Sequence, residues 1–514
     1  MSTTEDPTVP PAGAHLDADA QMLAELGYKQ ELHRGMSAFS NFAVSFSIIS
    51  ILAGCITTYY LAMDAGGPVV ISIGWPLVGI FVLCVSLAMA EVCSRYPTAG
   101  GLYYWAGKLA KRNKRVWAWY VGWFNLLGEM AVTAAIDYGA AITWMALLNL
   151  VFGIDVSLMS TFIAYLVIIF LHGLLNTFGV NLVKLLSSVS AWWHIAGVAI
   201  IVGILWLVPD QHQTLGWTFS EFRNETGFAN PIYVFMVGLL MAQYTYTGYD
   251  ASAHVAEETR NADVDAPKGI VRSVWVSIIA GWFLLVSVTA AIQDYAGARN
   301  SDTGLPPAQI FIDAAGRELG ILMLFIAAVA QFFCGMASVT ANSRMSFAFS
   351  RDNALPGSRV WSKVNPRTHT PTNSIWLCVT GSIVLALPAL WSLTAYFAVT
   401  SIAVIGLYIA YVTPVMLRRL RGEDFQPGRW NLGKWSSPIG WIAVVWVIFI
   451  VILFMLPQYA PGTPGDPTFN YAPVAVLAVL AFATLTWFIG GRQHFMHGMK
   501  EEEHTKSLDA VFEE

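Results

Sequence analysis

The segment Ala242-Gln-Tyr-Thr-Tyr-Thr-Gly-Tyr-Asp-Ala-Ser-Ala-His-Val-Ala256 lies inside an apolar stretch that begins near Pro231. It combines hydroxyl side chains, a glycine, Asp250 and His254, which membrane helices accept only where they face a wet cavity or other protein. A second interruption, the small-residue step Ala53-Gly54, falls near the middle of the first apolar stretch. Two interrupted segments at matching positions in two halves of a chain indicate the binding site of a secondary transporter.

The composition excludes an ordinary soluble enzyme of several domains, because 56% of the 514 residues are hydrophobic and only 12% are charged. This balance is typical of a protein that crosses the bilayer many times. The five cysteines are scattered through apolar stretches, which argues against a disulfide framework and a metal site. The sequence contains no Walker A pattern, zinc motif or nucleophile elbow. We therefore expect no catalytic residue, no cofactor and no nucleic-acid partner.

Apolar stretches long enough to cross about 30 Å of hydrocarbon recur along the chain, and we number them span 1 to span 12. Ahead of them, residues 21–36 are predicted to form an amphipathic helix on the membrane surface. The spans are predicted at residues 39–63, 72–94, 116–148, 158–178, 185–208, 231–256, 273–294, 320–349, 373–390, 393–417, 439–456 and 472–489.

The distribution of positive charge predicts the orientation. All lysines and arginines except Arg223, Arg299 and Arg317 fall in segments on one side of the predicted membrane. Because cytoplasmic loops carry the excess of positive charge, both termini are predicted to be cytoplasmic.

The spans also predict an internal repeat. Five spans separate the starts of spans 1 and 6, so two five-span units would run in opposite directions, as inverted repeats do. Pro/Gly-started half-helices at residues 97–105 and 304–311 follow spans 2 and 7 at corresponding places. The predicted organisation is an N-terminal tail (1–36), a first repeat (37–209), an outside loop (210–230), a second repeat (231–420), spans 11 and 12 (421–490) and a C-terminal tail (491–514).

Short motifs occur in a specific order over most of residues 26–420. They are Leu26-Gly-Tyr-Lys-Gln-Glu-Leu32, Phe39-Ser-Asn-Phe-Ala43, Glu91-Val-Cys-Ser-Arg-Tyr-Pro-Thr-Ala-Gly-Gly-Leu-Tyr103, Thr247-Gly-Tyr-Asp250, Glu257-Glu-Thr-Arg-Asn261, Asn342-Ser-Arg-Met345 and Ser350-Arg-Asp-Asn-Ala-Leu-Pro356. In these motifs the chain resembles the amino acid–polyamine–organocation superfamily, and within it the amino acid/choline branch that includes GABA permeases.

The resemblance implies a LeuT-type fold of twelve transmembrane helices, ten in two inverted repeats and two at the C-terminus. In such relatives the unwound middles of spans 1 and 6 hold the substrate, with helix N-termini suited to a carboxylate and free carbonyls to an ammonium. The positions so implied are Leu52, Ala53, Gly54, Tyr246, Thr247 and Gly248, with Tyr244 as an aromatic gate and Asp250 as an acid just past the break.

Three titratable residues inside the predicted membrane are further candidates. Glu129 and Asp137 lie eight residues apart on nearly one face of span 3, where a carboxylate is costly and usually functional. They could attract a substrate ammonium or a proton, or pair with Arg344, His194 or a backbone group; Asp137 could also be wetted near the outer end. His194 in span 5 is either a hydrogen-bonded core histidine or, by the resemblance, the group that couples transport to protons.

Opposite charges at the cytoplasmic ends of spans 6 and 8 predict an inner gate formed by Glu257, Glu258, Arg351 and Asp352. The alternative is a set of solvated surface charges. Their positions in the motifs that carry the resemblance favour the gate.

The leading hypothesis is a multi-pass plasma-membrane permease that imports GABA or a similar amino acid by proton symport and alternating access. Its expected partners are a small-molecule substrate and the lipid bilayer, and its oligomeric state stays open. A permease for choline or another amine is the alternative, since Tyr244, Tyr246, Tyr249 and Glu129 could surround a cation. An amino-acid exchanger and a non-transporting nutrient sensor are further alternatives.

Overall fold

The computed structural model describes residues 12–178, 180–301, 303–391, 393–464, 466 and 468–496. Residues 1–11 and the predicted C-terminal tail beyond Met496 lie outside the described residues. Within the described part, eleven helices are long and apolar enough to cross a membrane, which confirms the all-α polytopic class. They are Ala38–Asp64, Val70–Arg95, Lys114–Phe152, Leu158–Thr177, Asn181–Leu207, Ala262–Ala290, Pro306–Arg351, Thr372–Leu390, Ala403–Asp424, Gly433–Met455 and Ala472–His494.

Span 6 is the predicted span that is missing from these eleven, because it is interrupted. It consists of the helices Pro231–Gly238, Leu240–Thr245 and Ala251–His254. Residues 246–250 between the last two are not helical, and Gly248 has a φ of 85°. This is the interruption that the polar segment predicts.

Span 1 is also broken, but at Ser50 and not at the predicted step Ala53-Gly54. Ser50 lies in the left-handed region (φ 36°) between the helices Ala38–Ile49 and Ile51–Asp64. The N–H groups of Ala53 and Gly54 both donate to the Ser50 carbonyl at 2.8 Å, so they belong to the first turn of the second helix. Gly54 is small for another reason, because a Cβ there would lie 2.6 Å from Thr245 Cγ2 in span 6.

Two half-helices occupy the predicted places after spans 2 and 7. Gly101–Leu109 follows span 2, and the helix that begins at Pro306 changes direction at Gly316 (φ 80°, ψ 167°) before it continues as span 8. Glycine is required at this kink because side-chain-bearing residues rarely adopt that conformation. Short helices are therefore present after both spans, each beginning a few residues later than predicted, and the inverted repeat itself stays a prediction.

The predicted surface helix at residues 21–36 is wrong in its bounds. The helix is Ala12–Glu25, and the following residues run without helix to Met36, whose N–H donates to the Glu258 carbonyl at 2.8 Å. The apolar residues Leu32 and Met36 are buried against protein. Met36 packs with Ala251 and Val255 of span 6, and Leu32 lies in the protein core, so this apolar spacing reflects burial in protein.

Both described chain ends lie on one side of the molecule, which we call the terminal face. The Tyr28 hydroxyl donates to the Asp352 carboxylate at 2.7 Å, and the Met496 N–H donates to the Asp352 carbonyl at 3.0 Å. On the other side, the opposite face, the two-residue strand Ala65–Gly66 pairs with Arg223–Asn224. Span 1 therefore runs from the terminal face to the opposite face, and span 6 runs back.

Candidate functional site

The breaks of spans 1 and 6 touch each other in the middle of the molecule. A Cβ on Gly248 would lie 2.1 Å from Ile48 Cγ2, so only glycine allows this approach. The Ser45 hydroxyl donates to the Tyr249 carbonyl at 2.9 Å and accepts from the Ser252 N–H at 2.8 Å. Backbone groups that lose their helical hydrogen bonds at the break of span 6 are thus partly hydrogen-bonded by Ser45 of span 1, as buried polar groups require.

A cavity of about 380 Å³, part of it open to solvent, adjoins the two breaks. Thr57 and Tyr244, which lie between the breaks and the opposite face, belong to its wall. The cavity is therefore on the opposite-face side of the breaks. Its wall also contains Ile48, Ile49, Ala53, Gly54, Val132, Ala135, Ile136, Thr245, Thr247, Gln331 and Cys334.

Four of the predicted substrate-binding residues, Ala53, Gly54, Tyr244 and Thr247, line this cavity. The other three positions at the breaks support it from behind. Leu52 is buried, and a Cβ on Gly197 would lie 2.9 Å from its Cδ1. Tyr246 packs on Trp75 with ring centroids 4.2 Å apart, and Gly248 donates its N–H to the Tyr411 hydroxyl at 3.2 Å.

The backbone at the breaks offers both signs of partial charge. The helix Ile51–Asp64 begins beside the cavity without a side-chain cap, so the positive end of its dipole faces the break. The helix Leu240–Thr245 ends there, and some of its last carbonyls are already satisfied, since Tyr408 donates to the Tyr246 carbonyl at 2.6 Å. An anionic group fits the first helix end and a cationic group fits the second.

Glu129 and Asp250 lie together with His254, away from the cavity wall. One ligand-type atom from each lies within 4.8 Å of the others, and all three side chains are buried. The Tyr411 hydroxyl donates to Asp250 Oδ1 at 2.6 Å, and His254 Nδ1 donates to the Ala99 carbonyl at 2.9 Å. Glu129 was predicted in the substrate site, but it lies outside the cavity wall and belongs to this cluster. The three side chains could bind a proton or a small cation.

Asp137 pairs with His172 of span 4, with Oδ1 and Nδ1 3.1 Å apart and both side chains fully buried. A Cβ on Gly335 of span 8 would lie 1.8 Å from Asp137 Oδ1, so this glycine makes room for the pair. Asp137 is fully buried and lies outside the cavity wall, so it is not exposed toward the outer end of span 3. Neither Arg344 nor His194 is its partner.

His194 contacts the break of span 1 directly. Its Nδ1 donates to the Ser190 carbonyl at 2.8 Å, which leaves Nε2 to accept from the Ser50 hydroxyl at 2.7 Å. Both bonds are fully buried. The side chain predicted to couple transport to protons thus touches the residue at which span 1 is broken.

Three of the four predicted gate residues, Glu257, Glu258 and Arg351, take part in two buried ion pairs on the terminal face, and Arg344 supplies the fourth charge. Arg351 contacts Glu257 at 2.8 Å, and Arg344 contacts Glu258 at 2.6 Å. Burial would raise the pKa of Glu257, but Arg351 offsets it and holds that pKa below its usual value. The Arg351 guanidinium lies 4.0 Å from the centre of the Tyr28 ring.

Asp352 completes this group by accepting from Tyr28 at 2.7 Å and from Tyr103 at 2.9 Å. Burial raises its pKa above the usual value against the opposing effect of Arg351. We call Tyr28, Tyr103, Glu257, Arg351 and Asp352 the terminal-face gate. This group lies between the breaks and the terminal face, whereas the cavity lies between the breaks and the opposite face.

Several residues of the site were not singled out by the sequence. Ser50 and Tyr411 carry no local signal, because their roles depend on spans 5 and 6. Gln331 did carry a local signal, since it is a single amide in an apolar helix and polar residues at that depth usually face a cavity. His172 in span 4 had the same kind of signal, although it lies outside the site as the partner of Asp137.

Two broken helices, a cavity at their breaks and a closed gate beneath it define a membrane transporter of the permease type. A family model described as amino acid permease matches residues 36–481. The chain therefore belongs to the amino acid permease family, within the amino acid–polyamine–organocation superfamily, and is not an enzyme.

Curated relatives agree with this assignment along nearly the whole chain. The amino-acid permease BAT1 of Arabidopsis thaliana is 43% identical over 508 residues, which cover 93% of this chain and 96% of the relative. Its homolog in Oryza sativa subsp. japonica is 41% identical over 502 residues, 94% and 96% of the two chains. The GABA-specific permease of Saccharomyces cerevisiae is 31% identical over 511 residues, 96% and 88% of the two chains.

Proposed function

We propose that the protein imports GABA or a similar amino acid by proton symport, through alternating access around the breaks of spans 1 and 6. The observation that carries this proposal is the cavity at the two breaks, with Ala53 and Gly54 on one side and Tyr244 and Thr247 on the other. The closed terminal-face gate and the cavity above it correspond to one of the two end states that such a cycle needs.

The wall of the cavity favours a zwitterion over choline. Within the described residues, its wall contains no aspartate, glutamate, lysine or arginine, so charged groups of the substrate would rely on the backbone at the breaks. Choline has no carboxylate for the helix end at Ile51. Of the aromatic and acidic residues expected to surround it, Tyr244 lines the cavity, whereas Tyr246, Tyr249 and Glu129 are outside the wall.

GABA is favoured among amino acids by two considerations. A relative named GABA-specific permease aligns with 96% of this chain. The cavity also includes Gln331, whose amide oxygen accepts from Thr143 at 3.1 Å and whose neutral side chain suits a polar substrate end. Both considerations extend the family assignment to a substrate.

His194 is the proposed link between protonation and span 1. When its ring is neutral, Nε2 accepts from Ser50; a second proton would turn Nε2 into a donor and reverse that hydrogen bond. The break of span 1 would then be held by a different set of contacts.

We also propose that the protein lies in the plasma membrane with the terminal face in the cytoplasm. The charge distribution along the sequence supports this orientation. The cavity would then open toward the outside of the cell.

Uptake by purified protein in liposomes tests the proposal with labelled GABA, other amino acids and choline. Each substrate is measured under an inward proton gradient, under a sodium gradient, and with unlabelled substrate trapped inside. We expect GABA or amino-acid uptake that rises with the proton gradient and collapses with a protonophore. His194→Ala is expected to lose the proton dependence; intact proton-driven uptake in that variant would contradict its role.

Other outcomes identify the alternatives. Choline uptake as fast as that of any amino acid would identify choline as the substrate. Uptake that occurs only when substrate is trapped inside would indicate an exchanger. Saturable binding without uptake would indicate a sensor.

A further inference from the structure

We infer that Glu129, Asp250 and His254 form a proton-binding site whose occupancy is transmitted to the terminal-face gate through the backbone of Ala99. This inference rests on the proposed proton symport, and it assigns the transported proton to a site below the breaks. The three residues come from span 3 and from the terminal-face half of span 6.

The contacts of the cluster require a shared proton. His254 Nδ1 faces a carbonyl, which can only accept, so Nδ1 carries a hydrogen. Nε2 then faces Asp250 Oδ2 at 3.3 Å, and neither of these two atoms has a hydrogen-bond partner elsewhere in the described structure. A neutral Nε2 and a carboxylate oxygen are both acceptors, so a proton between them converts a repulsive contact into a hydrogen bond.

Glu129 adds a second reason for the proton. Its carboxyl group lies beside Asp250, and among the described ion pairs neither acid has a lysine or arginine partner. Two adjacent carboxylates cannot both stay ionised at low dielectric without a compensating cation. The proton therefore belongs to the three groups together, and its release is opposed until one of them reaches water.

Among the described residues, the other titratable groups around the cluster are Cys378 of span 9, tyrosines, and glutamates that are already paired with arginines. From span 10, Tyr411 donates to Asp250 Oδ1 at 2.6 Å, and Tyr408 donates to the Tyr246 carbonyl at 2.6 Å. The side of span 6 that faces spans 1 and 8 is apolar at Ala251 and Val255. The charged groups nearest along span 6 are Glu257 and Glu258, paired with Arg351 and Arg344, with Tyr249 and Tyr103 as further titratable neighbours.

With the shared proton between Asp250 and His254, a continuous chain of hydrogen bonds joins the break of span 6 to the gate through the cluster. Its upper end is the break itself, where the Gly248 N–H donates to the Tyr411 hydroxyl that binds Asp250. Its lower end is Ala99, whose carbonyl accepts from His254 and whose N–H donates to Glu257 Oε1 at 2.9 Å. Glu257 is the acid of the gate ion pair. A change at His254 therefore reaches the gate through one peptide unit on each side of Ala99.

The cluster connects elements that alternating access would separate. Glu129 belongs to span 3, which packs on spans 4, 8 and 10, whereas Asp250 and His254 belong to the terminal-face half of span 6, which contacts spans 1, 7 and 8. The buried pair Asp137–His172 has the same chemistry, but its residues come from spans 3 and 4, which pack on each other. Opening of the terminal face would wet Asp250 and release the proton there, and it would leave Asp137–His172 unchanged.

Proteoliposome measurements on His254→Gln test the site, with His172→Gln as the matched control. Glutamine can still donate to the Ala99 carbonyl but cannot bind a proton near neutral pH. Two rates are compared in each protein: uptake driven by a proton gradient, with proton movement followed by a trapped pH dye, and exchange of labelled for trapped substrate without a gradient. We expect the ratio of driven uptake to exchange to fall at least about fivefold in His254→Gln, with no dye response, and to stay at the wild-type ratio in His172→Gln.

Each result has a defined meaning. If wild-type uptake ignores the proton gradient, proton symport itself fails. If wild-type uptake is proton-driven and His254→Gln keeps the wild-type ratio and dye response, the cluster is not the proton site and symport stands. If uptake and its loss in the variant follow sodium instead, the cluster binds a metal cation and the inference is overturned. Should His254→Gln not be recovered folded, Glu129→Gln is judged by the same ratio.

Discussion

At the scale of single residues, the site depends on positions where no side chain fits. We predict that Gly248→Ala destabilises the protein and abolishes transport, because its Cβ would lie 2.1 Å from Ile48 Cγ2 at a φ of 85°. Overpacking costs about 1 to 3 kcal/mol and the left-handed backbone about 1 to 2 kcal/mol more. The apparent melting temperature of the solubilised protein measures the loss.

Gly203→Ala in span 5 is the matched control for this prediction. Nothing lies within 4 Å of a Cβ at that glycine, and its backbone is helical. It should melt at the wild-type temperature or slightly above it, because alanine favours a helix. Equal melting temperatures for the two variants would contradict the close approach of spans 1 and 6.

A second residue-scale prediction concerns the pH dependence of the gate. Arg351 holds the pKa of Glu257 below its usual value, so the pair stabilises the fold at neutral pH and loses this effect only as the pH falls through that lowered value. In Arg351→Ala, burial dominates and raises the pKa of Glu257, so the sign reverses. Stability should then fall as the pH rises.

We expect Arg351→Ala to lose about 3 to 5 kcal/mol at pH 8, as when one partner of a buried ion pair is removed. Relative to wild type, the variant should recover part of the loss at pH 5, seen as a smaller difference in melting temperature. Adding Glu257→Gln should reduce the pH dependence of the difference from wild type to the part that comes from Asp352, whose pKa Arg351 also lowers. If the difference in melting temperature between Arg351→Ala and wild type is the same at pH 5 and pH 8, Glu257 is not the titrating group.

At the scale of elements, the helix Ala12–Glu25 supplies a cap to a distant helix. The Asp19 carboxylate accepts from the N–H groups of Asn261 and Ala262, at 2.8 and 3.2 Å, where the helix Ala262–Ala290 begins. That helix has no side-chain cap of its own. A carboxylate at a helix N-terminus satisfies free donors and complements the dipole.

We predict that Asp19→Ala lowers the stability by about 1 kcal/mol, the usual effect of losing an N-cap. The exposed Glu25 of the same helix offers the control variant Glu25→Ala, which should leave the melting temperature unchanged. Equal melting temperatures for Asp19→Ala and Glu25→Ala would contradict the capping role of Asp19. It would then follow that the N-terminal helix is not attached to span 7 in solution.

At the scale of the whole molecule, the structure is closed at the terminal face and has its cavity toward the opposite face. We predict that Thr57→Cys, in a Cys334→Ala background, reacts with a membrane-impermeant maleimide applied at the opposite face. Thr57 lines the cavity, whereas Ser252 is fully buried below the breaks. Ser252→Cys should stay unreactive from either face.

Opening the gate should reverse this pattern. With Arg351→Ala added, Ser252→Cys should become reactive from the terminal face and Thr57→Cys should react more slowly, because the two end states exchange population. Labelling that is unaffected by Arg351→Ala would mean that the gate does not control access.

The sequence by itself determined the properties that are local along the chain. Hydropathy and charge gave the class of protein and the spans, because crossing hydrocarbon depends on the composition of each segment. The break in span 6 was predictable for the same reason, since Gly248 and its polar neighbours stand out in an apolar stretch. The resemblance to the superfamily implied places for Tyr244 and Thr247 at the break, and the family motifs favoured Arg351 with Glu257 in an inner gate; the first two line the cavity and the last two form an ion pair.

The tertiary structure decided which residues meet. Ser50 breaks span 1 at a point where its hydroxyl meets His194 of span 5 and where Gly248 of span 6 packs against the neighbouring Ile48. Glu129 joins Asp250 and His254, and Asp137 joins His172, although other partners were equally allowed by the sequence. These pairings depend on how helices far apart in sequence pack and rotate, and a side chain's partner is fixed only when both faces are known.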